Sequence, residues 1–460
     1  MHTRWVVGRT FLLAAMLAAM LAAMLATSSR TVVAQAPPAG DAAAQRADLA
    51  AFERDFFEVD RSYSPPARIE AKRRLAALAS SLGSLSDVAF VLKLAQIAAL
   101  ADNGHTNLFS RGSAPGNGRV GIRLAPFGVD FFVLRATTEH ADLLGGRLIS
   151  IDDTPINVLR DSARTLAGGI ASFRDRLGPL FLESPGQLHA LGAARSATQA
   201  TYRFEMRDGR TREASLGAVP GPRASRSPRA ADALEPATGD SGWRTLLAAE
   251  KAPWSLQDFG ETMRHRDAPE MDAVVIQLRA NLDGSQPIAA FLEEADAARR
   301  SAGRRNVVLD MRMNGGGNLQ LTRAWMSSLP SRLPPDGRVV VLVSPWTFSA
   351  AIASTSYLKQ AGGTRVVVAG EAPGDRLRFW AEGRPITLPN SGAVIGLATQ
   401  RHDYLTACQG YPDCHAYIVR YPIAIASLDP EVRAPWTLDA YAAGRDPGME
   451  AAAKVLGAPR

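Results

Sequence analysis

The sequence predicts an α/β fold with parallel strands, preceded by a helical unit and a β-rich unit. Residues 253–460 alternate apolar runs such as NVVLD and VVVLV with segments whose apolar residues recur at helical spacing. Apolar strands separated by helices are typical of parallel sheets that are covered on both faces. Residues 48–101 show helical spacing alone, whereas residues 120–216 contain short alternating runs that are typical of strands. A chain of 460 residues also exceeds one ordinary core, so two or three domains are expected.

Residues 1–34 predict a secretory signal peptide. Arg4 and Arg9 precede an apolar run over residues 11–26, and the small residues VVA follow, so we expect cleavage after Ala34. The apolar run is shorter than the roughly 20 residues that a membrane span needs, and an uncleaved anchor is the alternative. We therefore expect an exported protein, periplasmic or secreted, with no stable membrane span once the signal is removed.

The charge of the expected mature chain argues against nucleic acid as a partner. The formal net charge of the whole chain is +7, and removal of the three arginines of the signal peptide lowers it to +4. This charge is mild for a chain of this length and indicates no basic patch of the kind that nucleic-acid binding needs. We expect no nucleic-acid partner and no cofactor.

Composition predicts the division of the rest of the chain. Residues 35–47 are rich in Ala, Pro and Gly, and we expect them to be disordered. A helical N-terminal unit over residues 48–117 ends in the turn GHT. A β-rich domain follows over residues 118–216, a linker rich in Pro, Gly, Ser and Arg over residues 217–252, and the α/β core domain over residues 253–460.

The prediction of a PDZ-like domain rests on the segment RLISIDDTPI. This segment resembles the strand and tight turn of PDZ-like domains, and a helical pattern follows it. A later hairpin has its turn at Asp208 and Gly209. PDZ-like domains bind extended chains by adding them to a sheet edge, so we expect a polypeptide as the partner.

Two cysteines predict a small disulfide loop. Cys408 and Cys414 lie in CQGYPDC, a turn-rich stretch of a chain that is expected to be exported. His402 and His415 lie nearby, but the spacing matches no zinc pattern, and we expect no metal site.

Three stretches have residues that suit chemistry, and each also has a plain structural interpretation. In NVVLDMRMNGGGNLQ three glycines follow an apolar strand and would let backbone N–H groups approach a ligand, or simply form a turn. No Gly-Lys-Ser/Thr follows, which disfavours a phosphate loop. In VVLVSPWTFSAAIAST, Ser349 opens a run of small residues as a nucleophile or as a helix N-cap. His105 in GHT is a general base or a solvated turn histidine.

Together the three stretches favour catalysis. The glycine turn and Ser349 follow successive strands, so both would lie at the carboxyl ends of parallel strands, where open α/β sheets place their ligands. His105, supplied by the helical unit, would complete a Ser-His pair. Backbone N–H groups would then stabilise an oxyanion.

The order of these motifs resembles that of the C-terminal processing (tail-specific) serine peptidases. The resemblance covers GHT, the PDZ-like segment, LDMRMNGGG, VLVSPWTFSAA, VVVAGEAPG and the ending LDPEVRAPWTLDAYAAGRDPGMEAAAKVL. It implies a crotonase-like (ClpP-like) α/β spiral core. It also implies Ser349 as the nucleophile, and an oxyanion hole made by the N–H of Ala350 with Gly315 or Gly316.

The family that the chain resembles has two branches, and the chain lacks the catalytic lysine of the first. Many members use a Ser-Lys dyad, but here Asp375 and Arg376 stand where the lysine is needed. Arg stays charged and cannot act as a base, and Lys359 comes too early in the chain. The tricorn-like branch uses a histidine from a GHT-like turn, which His105 fits.

The chain also departs from the tricorn-like pattern around the histidine. Gly104 stands where that branch has a serine, Ile352 stands where the family often has Glu, and RYPIAIAS contains no late acid. Either another group orients the histidine, with Asp102, Glu371 and Asp403 as the candidates, or the catalytic site is weak or lost. Asp102 has the alternative role of a solvated helix cap.

The sequence therefore predicts an exported serine peptidase that forms an acyl-enzyme on Ser349 with His105 as general base. A non-catalytic peptide- or ligand-binding protein on the same scaffold is the first alternative. A serine hydrolase that acts on an ester or a cell-wall amide is the second.

Overall fold

The computed structural model describes residues 40–109, 118–219, 231–236 and 242–457. The predicted signal peptide lies outside these residues. None of the helices in the described ranges is long and apolar enough to cross a membrane.

The N-terminal unit is helical, as predicted. Its elements are helices α1 (Ala42–Ala51), α2 (Pro65–Ala79) and α3 (Asp87–Ala99) and strand β1 (Leu108–Phe109). Asp41, Ser64 and Ser86 each accept a backbone N–H in the first turn of the helix that follows. The prediction of disorder over residues 35–47 is wrong at its end, because Asp41 caps a helix that begins at Ala42.

The β-rich unit is an antiparallel sheet, and helices lie between its strands. The strands are β2 (Arg119–Val120), β3 (Ile122–Phe127), β4 (Asp130–Thr137), β5 (Arg147–Ile151), β6 (Thr154–Pro155), β7 (Gln199–Glu205), β8 (Thr211–Val219) and β9 (Trp243–Thr245). The helices are α4 (Ile156–Arg164), α5 (Ala171–Leu182), α6 (Pro185–Ala190) and α7 (Ala231–Leu234). The main strand order is β2-β8-β7-β5-β4-β3, with β6 on β5 and β9 on β4.

Part of the predicted linker over residues 217–252 belongs to this sheet. Strand β8 continues to Val219, and strand β9 pairs with β4 through Arg135 and Thr245. The composition of this stretch is that of a loop, but backbone hydrogen bonding to a neighbouring strand needs no apolar pattern. The expectation of a simple linker is therefore wrong at both ends of the segment.

The core domain has the parallel sheet that the alternation of strands and helices predicts. Its first elements are β10 (Met263–Ala268), β11 (Ala273–Leu278), α8 (Ile288–Ser301), β12 (Asn306–Asp310), α9 (Gln320–Arg332), β13 (Val339–Val343), α10 (Ala350–Gly362) and β14 (Val366–Gly370). Strands β11 to β14 pair in parallel and in chain order, and β10 pairs antiparallel at one edge. The residues of β11, β12 and β13 are all buried, which explains why these strands are mainly apolar.

The remaining elements complete the C-terminal half of the chain, and one of their strands pairs with the N-terminal unit. They are β15 (Arg378–Glu382), β16 (Ile386–Thr387), β17 (Val394–Ile395), β18 (Ala398–Asp403), α11 (Ala416–Arg420), β19 (Val432–Arg433), α12 (Leu438–Ala442) and α13 (Pro447–Val455). Strand β19 extends the parallel sheet beside β14, and β15 pairs with β18. Strand β1 pairs with β17, so the turn that carries His105 leads directly into a strand held by the C-terminal half of the chain.

Candidate active site

Ser349 lies in a strained conformation at the start of helix α10. Its backbone has φ +56° and ψ −124°, in the left-handed region that residues other than glycine rarely adopt. Its side chain makes no capping hydrogen bond, so the alternative role of a helix N-cap is not supported. Thr347 fixes the preceding turn, because its Oγ1 donates to the carbonyl of Met311 and accepts from the N–H of Ser344. The hydroxyl of Ser349 is therefore not hydrogen-bonded to the first turn of the helix that follows it.

The glycine turn after β12 packs directly against this serine. Gly316 has φ +104°, and a Cβ atom at this position would lie 2.6 Å from the Cβ of Ser349. Only glycine permits this approach and this backbone conformation together. The turn is therefore in close contact with the serine.

The predicted oxyanion donors differ in whether their N–H groups have a partner. The N–H of Gly316 donates to the Oδ1 atom of Asn314 at 2.9 Å. Within the described residues, the N–H groups of Gly315 and Ala350 have no hydrogen-bond acceptor, and open space lies beside Gly315. Gly315 and Ala350 are thus the two donors that this geometry leaves for an oxyanion.

A network of buried polar side chains connects the glycine turn to helix α10 through hydrogen bonds. Asn314 donates through Nδ2 to the Oδ1 of Asn281 at 2.9 Å, and the N–H of Asn281 donates to the carbonyl of Gly316 at 2.8 Å. The Nδ2 of Asn281 in turn donates to Ser354 Oγ at 2.7 Å, within helix α10. The network therefore joins the glycine turn to the helix that begins at the serine.

Two asparagines fix the turn that carries His105. The side chain of Asn103 pairs with both backbone groups of Trp380 on β15, each at 3.0 Å. Asn107 donates through Nδ2 to the carbonyl of Gly104 and accepts through Oδ1 the N–H of Gly168, each at 2.7 Å. Because these side chains replace the backbone partners that a turn lacks, His105 is held against the core and is not a solvated turn residue.

The ring of His105 is sandwiched between two phenylalanines. Its centroid lies 4.5 Å from that of Phe348 and 5.1 Å from that of Phe379. The side chain is 17% exposed, and neither ring nitrogen has a hydrogen-bond partner among the described residues. Burial lowers the pKa of His105 to about 3, so the imidazole is neutral near pH 7 and can accept a proton. Since Phe348 immediately precedes Ser349, the sandwich also places the ring beside the serine turn.

A carboxylate that the sequence does not single out as an acid lies against this ring. The Oδ2 of Asp375 is 3.9 Å from the Nδ1 of His105, and the side chain of Asp375 is 1% exposed. Burial raises the pKa of Asp375 to about 7. From the sequence, Asp375 is notable only because it stands where a lysine is needed.

The three carboxylates predicted to orient the histidine make other contacts. Asp102 pairs with Arg174 and with Arg376. Asp403 accepts from Arg378 Nε at 2.8 Å and from the N–H of Leu405 at 2.9 Å. Glu371 accepts the N–H of Trp436 at 3.5 Å, and burial raises its pKa.

The predicted disulfide is present. Cys408 and Cys414 are bonded, with their Cα atoms 6.0 Å apart. His415 stacks on His402 with ring centroids 5.1 Å apart, and His402 stacks on Phe379 at 4.9 Å. Within the described residues, no group of three or more His, Cys, Asp or Glu side chains is arranged to hold a metal ion.

Sequence comparisons and structure comparisons give different results for this chain. No protein-family model matches it, and neither does any curated protein sequence. Mature CPAF complexed with lactacystin is similar in structure, with a TM-score of 0.57 over 90% of this chain and 98% of that chain at 12% identity. The chain has the fold of mature CPAF. The resemblance predicted from the sequence is confirmed at the level of this fold.

Two further solved structures align over the same share of this chain, with lower scores. The photosystem II D1 C-terminal processing protease aligns over 90% of this chain and 97% of its own, with a TM-score of 0.37 at 16% identity. The tricorn protease aligns over 90% of this chain and 36% of its own, with a TM-score of 0.38 at 12% identity.

Proposed function

We propose that this chain is an exported serine peptidase of the tail-specific, C-terminal processing type. One observation carries the proposal: Ser349 is strained at the start of a helix, a glycine turn packs against it, and the neutral imidazole of His105 stacks on the phenylalanine that precedes it. The fold shared with mature CPAF agrees with the family resemblance that the motifs indicate. On this proposal residues 253–460 form a crotonase-like core, and the PDZ-like sheet binds the polypeptide as an extended chain.

The proposed chemistry assigns one step to each group. Ser349 Oγ attacks the carbonyl carbon of the scissile peptide bond, and its proton passes to Nε2 of His105, the ring nitrogen away from Asp375. The N–H groups of Gly315 and Ala350 stabilise the oxyanion. His105 returns the proton to the leaving amine, and a water molecule then hydrolyses the acyl-enzyme by the reverse sequence.

The resting arrangement requires a small movement before this chemistry begins. Both ring nitrogens of His105 are without a partner within the described residues, so the histidine and the serine are not yet hydrogen-bonded. Catalytic hydrogen bonds are often long in free enzymes and shorten when substrate binds. The same observation favours the alternative of a binding protein on this scaffold, and activity measurements separate the two.

Hydrolysis of an unstructured polypeptide tests the proposed function. Reduced and carboxymethylated casein should be cut by the wild-type protein, and the Ser349→Ala and His105→Ala variants should lose the activity. Ser356→Ala is the matched control, because Ser356 lies in the same helix and its hydroxyl donates to the carbonyl of Ile352. Binding of the polypeptide without cleavage would replace the peptidase by the binding protein, and cleavage of an ester or a cell-wall amide alone would change the substrate class.

A further inference from the structure

The carboxyl group of Asp375 has one oxygen with a partner and one without. Its Oδ1 accepts the N–H of Arg376 at 2.8 Å, whereas its Oδ2 has no hydrogen-bond partner among the described residues. Buried polar atoms in folded proteins are almost always paired, because an unpaired one forfeits the hydrogen bond that it made to water. The unpaired oxygen is therefore a feature to explain.

The nearest complement to this oxygen is the imidazole of His105. The distance from Asp375 Oδ2 to His105 Nδ1 is 3.9 Å, and Nδ1 is also unpaired. A movement of roughly 1 Å brings the two atoms to hydrogen-bond distance and pairs both at once. A proton on Nδ1 then leaves Nε2 free to accept the serine proton.

The space between the two groups exists because residue 104 has no side chain. A Cβ atom on Gly104 would lie 2.9 Å from Asp375 Oδ2 and 2.7 Å from Cε2 of Phe348. Any larger residue at this position would displace the carboxyl group or one ring of the sandwich around the histidine. The absence of a side chain at Gly104 therefore leaves room for the carboxyl group of Asp375 next to His105.

The segment that carries Asp375 is attached to the turn of the serine. The N–H of Gly374 donates to the carbonyl of Thr347 at 2.9 Å, and a Cβ atom on Gly374 would lie 2.2 Å from the carbonyl oxygen of Pro345. The two backbone segments are therefore in direct contact, and the carboxyl group and the nucleophile keep a fixed relation. Such a relation is what a positioning residue requires.

We propose that Asp375 is the positioning residue of His105, whose carboxylate accepts the Nδ1–H and thereby presents Nε2 to Ser349. Asp375 also stabilises the imidazolium that forms when the serine proton is transferred, and the phenylalanine sandwich keeps the ring in its plane. No bond other than this hydrogen bond changes at Asp375. The inference rests on the proposed function, since it assigns the base of that reaction its partner.

The pH dependence of this role follows from the charged groups around the pair. Arg376, Arg176 and Asp102 act on the carboxyl group, and His402, Glu382 and Arg176 act on the imidazole. The ionised carboxylate accepts the Nδ1–H more strongly than the neutral acid does, and only the ionised form stabilises the imidazolium by its charge, so the reaction rate of the serine should rise between pH 6 and pH 8.5. This rise should be absent when residue 375 cannot ionise.

Rates of covalent labelling by a fluorophosphonate test the inference. The Asp375→Asn variant keeps the shape of the side chain, and we expect its labelling at pH 8.5 to be slower by about 100-fold or more. Asp375→Glu should recover part of the rate. The matched control is Asp336→Asn, whose carboxylate pairs with Arg305 at the surface and which should label like the wild type. Thermal unfolding shows whether each variant is folded.

Two readouts separate failure of this inference from failure of the proposed function. Labelling of Asp375→Asn at the wild-type rate would overturn the role of Asp375 and leave the peptidase intact. If the folded wild type is not labelled at all, the proposed function fails. In that case the tautomer of His105, measured by NMR on isotope-labelled histidine, still tests the contact between Asp375 and His105. An Nδ1–H form that is lost in Asp375→Asn supports the contact, and an unchanged tautomer overturns it.

Discussion

Replacing Asp375 by asparagine tests whether its carboxyl group is buried as the structure places it. Burial raises the pKa of this group from 3.8 to about 7. Because the pKa is raised in the folded protein, the neutral carboxyl group makes its full contribution to the free energy of unfolding below pH 3.8. This contribution is lost as the pH rises through about 7, because the carboxyl group ionises more easily in the unfolded chain than in the folded one.

The expected size of the effect follows from the part of this interval that the assay covers. From pH 5 up to its pKa of about 7, the carboxyl group is ionised in the unfolded chain but neutral in the folded protein. This interval of about two pH units corresponds to about 3 kcal/mol of unfolding free energy. The wild type should lose this amount relative to Asp375→Asn, which cannot ionise. Burial lowers the pKa of His105, so its contribution is lost as the pH falls below about 6.5, but this contribution is common to both proteins and cancels in the difference.

Urea unfolding of both proteins at the two pH values provides the measurement. The difference in unfolding free energy between variant and wild type should grow by about 3 kcal/mol in favour of the variant as the pH rises from 5 to 8.5. A difference that does not change with pH would refute the reasoning, since it would mean that the carboxyl group is solvated in the folded protein.

Three further predictions follow from the site and its surroundings. Gly316→Ala should slow fluorophosphonate labelling by about 100-fold or more, because the new Cβ atom would collide with the serine. Gly315→Ala is the control: position 315 faces open space, so this variant should fold, keep its backbone N–H and be labelled faster than Gly316→Ala. Equal labelling rates for the two variants would contradict the tight packing at Gly316. The imidazole of His105 should stay neutral in an NMR titration down to pH 5, and Phe379→Ala should raise its pKa by admitting water; titration near pH 6.5 in the wild type would show that the ring is exposed. Reduction of the disulfide should lower the free energy of unfolding by about 2 kcal/mol, as expected for so short a loop, and an unchanged value would assign the loop no stabilising role.

Local patterns predict much of the fold correctly. The apolar runs of β11 to β14 predict buried parallel strands because both faces of such strands are covered. The serine turn, the glycine turn and the disulfide are each formed by residues that are close together in the sequence, so they can also be predicted from local patterns. Strand β9 is the counterexample, since its pairing with β4 leaves no trace in a loop-like composition.

The partners of the histidine could not be predicted in the same way. Asp375 and His105 are far apart in the chain, and the contact between them depends on the missing side chain of Gly104. The pairing of Asn103 with the backbone of Trp380 is equally remote in sequence. Contacts of this kind arise from tertiary packing, which leaves no periodic signal in the sequence.

Mass-spectrometric mapping of a fluorophosphonate adduct on the folded wild-type protein tests most directly whether Ser349 is an activated nucleophile. We expect a single adduct on Ser349 that is absent from Ser349→Ala and from His105→Ala. A folded wild-type protein that acquires no adduct, or one that acquires it at another serine, would contradict the claim that Ser349 is an activated nucleophile.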